Sequence, residues 1–420
     1  MYKNKVLFPI ILLLFAAQIT VSQNNTNSPY TRFGYGDISD NNSGEQRAMG
    51  GVSIGTRSHY GINTVNPASY SSVDSLTFMF DIGSSVLGSR FSESSTKSHT
   101  TFNSNLEYVT MQFPLSKTLG FSLGMLPYSF SGYNFQTTDS IVNVEQDTIN
   151  YTKSFSGSGG FTQVYTGISV SFFNHISLGV NAYYMFGTIK NSRLLYLGST
   201  NGYSSTNQDN TLIANNFRFR FGAQFYNTFA KKHDVSLGLI YEPQAKLNGS
   251  FSQITSGVLT DTITPNYEFE LPTIYGIGLN YTYDKKISIG LDYSFQGWSD
   301  AKFFYQSDSL TNSENLYNRS KVALGLEYMP NPYGRKFSDR IRYRAGFNMS
   351  DSYFKVGGEK PANNFGITFG IGLPLQNSNT VINASFEYGK IGSTSLIRED
   401  YFKFTFNAVF NENWFFKRKL

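Results

Sequence analysis

The chain has 420 residues, of which 16% are aromatic, with 38 Phe and 29 Tyr against 2 Trp, yet only 15% are charged and none is cysteine. Soluble domains carry roughly a quarter charged residues, so this balance, with a mean hydropathy of -0.28, argues against an ordinary soluble protein. A net charge of +5, dispersed apart from Lys417-Arg418-Lys419, excludes a nucleic-acid footprint, and the absence of cysteine excludes disulfides, a lipoprotein anchor and thiolate zinc sites.

Lys3 and Lys5 precede an apolar run from Val6 to Ala17, the pattern of a secretory signal peptide. We assign it to residues 1–22, with release after Thr20-Val21-Ser22. The run is too short to cross a bilayer as a helix, and no later stretch approaches the ~20 apolar residues that one needs. The mature chain is therefore predicted to be periplasmic, secreted or in the outer membrane. Residues 23–74 follow, rich in Gly, Asn and Ser and without sustained alternation.

From Leu76 the pattern changes to period two, the signature of strands with one apolar face. Ile287, Ile289, Leu291, Tyr293 and Phe295 share one face, while Ser288, Gly290, Asp292 and Ser294 share the other. Equivalent alternation recurs at 76–82, 109–113, 119–125, 164–172, 176–184, 217–225, 235–241, 275–283, 322–328, 341–347, 365–373, 382–388 and 402–410. That makes about fourteen segments, an even number, as expected for a single-chain bacterial barrel with both ends on the periplasmic side. The predicted fold is all-β: a transmembrane up-and-down antiparallel barrel over 75–416, then a short basic tail at 417–420. Short links such as Lys231-Lys232-His233-Asp234, Asp284-Lys285-Lys286 and Gln376-Asn377-Ser378-Asn379 are read as periplasmic turns. Longer polar stretches at 137–154, 198–210, 250–265 and 300–315 are read as outer loops. Glycines such as Gly179, Gly238, Gly278 and Gly325 fall on the inward face, where small residues relieve crowding.

Residues 23–74 stand at the periplasmic end of the predicted barrel, and a segment of this length can fold into the lumen as a hatch. It contains Arg47-Ala48-Met49-Gly50-Gly51, Arg57 and Asn66-Pro67-Ala68. Here the chain resembles the FadL-type outer-membrane transporters of long-chain fatty acids and aromatic hydrocarbons, whose hatch carries a small-residue stretch followed by an Asn-Pro-Ala signature. Looser matches follow in order at Glu270-Leu271-Pro272 and Gly297-Trp298-Ser299. The tyrosine-rich second half, with Tyr343-Arg344-Ala345-Gly346-Phe347 and Trp414-Phe415-Phe416, resembles the Bacteroidetes-type version, where such barrels also serve machinery.

Pro127 and Gly132 interrupt the third segment, and a proline there must break or bulge the ladder. In the resembling family a kink at this place opens the wall sideways, which implies release of a hydrophobic ligand into the membrane. Inward positions also carry Asp81, Glu107, Arg218, Arg220, Asp292, Glu327, Arg342, Arg344, Glu387 and Lys403. These groups are costly against lipid and are expected to brace barrel and hatch as ion pairs. The alternative is that one arginine, Arg47 and Arg57 included, takes a ligand carboxylate in a bidentate contact.

Catalysis has little to draw on. His59, His99, His175 and His233 are scattered without metal-ligand spacing, and no Gly-x-Ser-x-Gly elbow appears in a strand–turn–helix context, so no enzyme activity and no cofactor are expected. The leading expectation is passive uptake of a hydrophobic or amphipathic small molecule, with outer-membrane lipid and that ligand as partners. The alternative is a structural or adaptor subunit of a larger outer-membrane assembly, for protein secretion or barrel insertion, with other outer-membrane proteins as partners.

Overall fold

In the computed structural model, residues 25–413 are described apart from 93–97, 143–147, 198–203, 265–268, 304–315, 357–360, 362, 376–378 and 393–396. The signal peptide expected at 1–22 and the tail at 417–420 lie outside the described residues. Among the described residues no helix is long and apolar enough to cross a membrane. From Thr77 onward most of the described residues are strand.

After a two-residue strand β1 (Asp37–Ile38) and one helical turn α1 (Gly44–Ala48), the wall runs β2 (Thr77–Ser92), β3 (Ser98–Pro114), β4 (Leu119–Val142), β5 (Thr148–Phe172), β6 (Ile176–Leu197) and β7 (Thr206–Phe229). It continues through β8 (His233–Glu242), β9 (Ala245–Ser256), β10 (Thr260–Ile263), β11 (Phe269–Leu271), β12 (Thr273–Tyr283) and β13 (Ile287–Gly297). The last five are β14 (Arg319–Tyr328), β15 (Arg342–Ser350), β16 (Asn364–Pro374), β17 (Val381–Ile391) and β18 (Arg398–Asn413). β8 and β9 are two parts of one wall strand, because both pair with β7. β10, β11 and β12 likewise make one strand, so the wall has fourteen antiparallel strands, closed where β18 pairs with β2 from Arg398↔Ser92 to Asn413↔Thr77. Each of the fourteen alternating sequence segments lies on its own wall strand.

The alternation has its expected cause. Along β13 the outward Ile289, Leu291 and Tyr293 are exposed by 44–50%, while inward Asp292 is buried. Three turns at the end that carries Thr77 and Asn413 have two successive non-glycine residues of positive φ: Phe173-Asn174, Ala230-Lys231 and Asp284-Lys285. That is the tight hairpin turn whose twist matches the flanking strands, and it confirms the short links expected at Lys231 and Lys285.

The other end differs from expectation. Much of 137–154, 206–210 and 250–263 is strand and not loop, and β4 to β7 reach 22–25 residues, whereas about 9–11 suffice to cross a bilayer. Beyond the lipid the outer face turns to Ser, Thr and Asn, so the apolar period that marks a strand disappears although the ladder continues.

Candidate functional site

Residues 25–73 lie inside the wall and fill part of the interior. Gln46 Oε1 accepts from the Ser43 N–H at 2.9 Å, a capping interaction that starts α1. Gly50 and Gly51, at φ of 70° and 89°, then turn the chain out of it. An added Cβ at Gly50 would lie 2.7 Å from the Phe347 backbone, so the left-handed glycine also permits close approach to β15. At the second motif, Asn66 Oδ1 accepts from the Ala68 N–H at 3.1 Å and Asn66 Nδ2 donates to the Ile54 carbonyl at 2.8 Å. Asn66 thereby caps the 3-10 turn over Pro67–Ser72 and ties it back to the preceding loop.

The wall receives this segment on glycine. A Cβ at Gly238 would meet the Ile54 oxygen at 1.9 Å, and one at Gly179 would meet the Pro67 carbonyl carbon at 2.5 Å. Inward glycine therefore serves the close approach of the hatch. From β13, Asp292 Oδ2 accepts the N–H groups of Ser53 at 2.6 Å and Ile54 at 2.7 Å.

The arginines singled out from sequence all have internal partners. Arg47 reaches Glu107 at 2.8 Å and Arg344 reaches Glu327 at 2.6 Å, with Arg342 3.6 Å from the same carboxylate. Arg57 donates to Ala68, Ser71 and Gln224 and lies 4.1 Å over the Tyr226 ring. Arg218 and Arg220 both meet Glu242, the latter at 2.9 Å, while Arg218 stacks 4.3 Å over Tyr183. The sequence reading missed Glu242, which follows outward Tyr241 and by strict alternation must point inward.

On the opposite wall, Lys321 and Arg319 of β14 lie 2.6 and 3.5 Å from Asp40. Burial alone would raise the Asp40 pKa, but these two cations hold its carboxyl well below the usual carboxylate range. Asp37 has no such close partner among the described residues. Its enclosure raises its pKa against the pull of Arg319 and Lys403, even though its side chain faces open space inside the barrel.

That space is a cavity of about 200 Å³ between the hatch and the β2, β3, β14 to β18 wall, lined by Asp37, Asp40, Glu107, Arg319, Lys321, Glu399 and Lys403 along with Ile38, Leu87 and Phe130. It abuts a discontinuity in the wall. β3 pairs with β4 only from Pro114↔Gly120 to Val109↔Met125, although β3 continues along β2 to Ser98. Pro127 stands two residues past the last pair, and the register to β5 shifts between Pro127 and Ser129.

The hatch closes this seam from inside. β1 pairs antiparallel with β4 through Asp37↔Phe130 and Ile38↔Ser129. The Ser39 N–H donates to the Tyr128 carbonyl at 2.9 Å. Above them, Thr31 Oγ1 accepts the Gly132 N–H at 3.1 Å and lies 3.0 Å from the Gly132 carbonyl, its proton shared with the Ser28 carbonyl at 2.7 Å. On the β3 side, Asn105 Nδ2 donates to the Asn25 carbonyl at 2.8 Å. Pro127 and Gly132 thus flank the seam closure, whereas Asn66-Pro67-Ala68 lies deep against β6 and β7.

The protein-family model named BamG matches residues 1–420 of this chain. No curated protein sequence matches it. Among solved structures, a FadL homologue of Pseudomonas aeruginosa superposes with a TM-score of 0.59 at 10% identity, covering 89% of this chain and 98% of that one. The toluene transporter TbuX of Ralstonia pickettii gives 0.57 at 15% identity, covering 87% and 97%. The toluene transporter TodX of Pseudomonas putida gives 0.55 at 16% identity, covering 93% and 100%. The FadL-type resemblance therefore holds at the level of the fold, that of a closed fourteen-stranded antiparallel barrel.

Proposed function

The chain belongs to the BamG family, and from the geometry of the seam we propose that it passes a hydrophobic or amphipathic small molecule from the lumen sideways into the membrane. The observation that carries the proposal is the β3–β4 ladder that stops at Val109↔Met125 beside a cavity, with β1, Ser39 and Thr31 across the gap on the β4 side. Main-chain groups facing hydrocarbon cost several kcal/mol each when unpaired, so a wall is not left open there without a use. Polar and apolar surfaces meet in the cavity, which suits a ligand with one charged end. The solved proteins that share the fold are named as hydrocarbon channels and toluene transporters. No energy source enters this reading, so flux follows the gradient.

The test is a reversible lock. Ile38 and Ser129 are directly opposite, and the chain has no cysteine of its own. The Ile38→Cys/Ser129→Cys protein, oxidised, is expected to lose uptake of labelled long-chain fatty acid and to regain it on reduction. Undiminished uptake by the oxidised protein would rule out the seam as the route.

A second reading, as a structural or adaptor subunit of a larger outer-membrane assembly, is supported by the projection of β4 to β7 far beyond the bilayer. Native mass spectrometry of protein extracted gently from its own membrane separates the two. A lone barrel with a lipid-sized adduct supports transport, and a stoichiometric complex without ligand supports the assembly.

A further inference from the structure

Above the seam closure, β4 continues as an edge that no part of the described chain covers. Residue parity shows which main-chain groups lie on it. Along a strand both groups of a residue point to one side and those of the next residue to the other. The Thr31 hydroxyl engages both Gly132 groups from the open side, and β1 engages the same side at Phe130. The N–H and C=O of Asn134, Gln136 and Thr138 extend that row, while β4 stays paired with β5 on its other side through Val142↔Thr148. At Ser140 the row is closed locally, because Asp139 Oδ1 accepts the Ser140 N–H at 2.8 Å.

Natural edges are usually blunted by lysine, proline or a bulge. From Asn134 to Thr138 this edge has none of them and no charge of any kind, the first being Asp139. It ends on Ile141 and Val142, exposed by 49% and 67%. From these observations we infer that the free edge of β4 at Asn134–Thr138 is a docking site for an extended segment of another polypeptide, which adds to the wall as a strand. The chain already demonstrates the chemistry on the same edge, where β1 docks by main-chain pairing one turn of ladder below. The exposed Ile141-Val142 pair offers the incoming strand an apolar anchor.

A second copy of this chain does not fit the edge. Barrels of one orientation in one membrane are related by an axis along the membrane normal, and wall strands tilt by about 35–45°. Two copies of β4 brought edge to edge would therefore cross at about twice that tilt instead of aligning. A flexible segment of a different protein carries no such constraint. The inference is independent of ligand transport, and its test does not use uptake.

A photoreactive benzoylphenylalanine placed singly at Asn134, Gln136 or Thr138 of the full-length protein in its native outer membrane provides the test. Expected are adducts to one segment of another polypeptide, with the adduct site moving by two residues as the probe moves by two. Adducts to lipid alone, to a second copy, without register, or none at all would overturn the inference. Gln136→Pro removes a donor on the open side and leaves the β5 ladder intact, so the folded, heat-modifiable barrel should persist while register-matched adducts from Asn134 and Thr138 disappear. Thr138→Pro is the parallel variant should Gln136→Pro fail to fold. Adducts that survive in register in a folded proline variant would exclude main-chain pairing.

Discussion

Lys321 Nζ lies 2.6 Å from Asp40 Oδ2, so that a lysine on β14 holds the residue next to the strand that closes the seam across the lumen. Arg319, 3.5 Å away on the same strand, reinforces it. The sign of the pH effect follows. Asp40 is ionised in the fold at lower pH than in the unfolded chain, whose carboxylate titrates near ~3.9. Its stabilising contribution is therefore complete above that pH and fades as pH falls through the depressed native value. Because the pair is partly accessible, Lys321→Ala should cost no more than about 1 kcal/mol of barrel stability. Its expected effect is on the hatch, as faster proteolysis within residues 25–45 at neutral pH. Asp40→Asn should reproduce that effect and abolish its acid dependence.

Glu242 is the shared partner of two buried guanidiniums, and its removal leaves both without a counter-charge. Breaking a buried pair by deleting one partner costs about 3–5 kcal/mol. Glu242→Ala is therefore expected to lower the midpoint of the heat-induced shift from folded to unfolded electrophoretic mobility more than any single change at Arg342, which is 3.6 Å from Glu327 and also lies over Tyr60. A Glu242→Ala protein with the wild-type midpoint would show that Arg218 and Arg220 are satisfied by Gln163, Val65 and the Tyr183 ring alone.

Gly238 offers a steric test of hatch docking. A methyl group there would meet the Ile54 oxygen at 1.9 Å, whereas one at Gly297 would find nothing nearer than 3.8 Å. Overpacking typically costs about 1–3 kcal/mol. Gly238→Ala should raise the protease sensitivity of residues 50–60 with the barrel still closed, and Gly297→Ala should leave it unchanged. Equal behaviour of the two would mean that the hatch is not seated on β8.

These contrasts locate what the sequence makes legible. The spans within the membrane announce themselves because lipid demands an apolar residue at every second position, so all fourteen wall strands could be read from residues such as Ile287 to Phe295. The upper halves of β4 to β7 could not, since Asn134 to Ser140 meet water and obey no apolar period. The inward charges were legible as a set, but partners were not. Glu327 and Arg344 face each other on consecutive strands and are suggested by register, whereas Asp40 and Lys321 are 281 residues apart and meet only because the hatch folds back across the lumen. The seam was legible as Pro127, yet its closure by Asp37, Ile38 and Thr31 carries no sequence motif.

Pro127 connects these threads. The Leu115 N–H donates to the Leu119 carbonyl, which places Leu119 and, by alternation, Phe121, Leu123, Met125 and Pro127 in the row of β4 that faces β3. Met125 makes the last pair and Pro127 is the next residue in that row, but it has no N–H to donate. The proline thus ends the β3–β4 ladder by chemistry and not merely by a bend. Pro127→Ala restores the donor and should let the ladder advance toward Glu107, for a net gain of about 0.5–1.5 kcal/mol if one hydrogen bond forms. Measured together, a higher unfolding midpoint and a several-fold fall in fatty-acid uptake are expected. A raised midpoint with unchanged uptake would detach the seam from transport, and it would leave Pro127 as a device that stops β3 and β4 from zipping shut around the hatch.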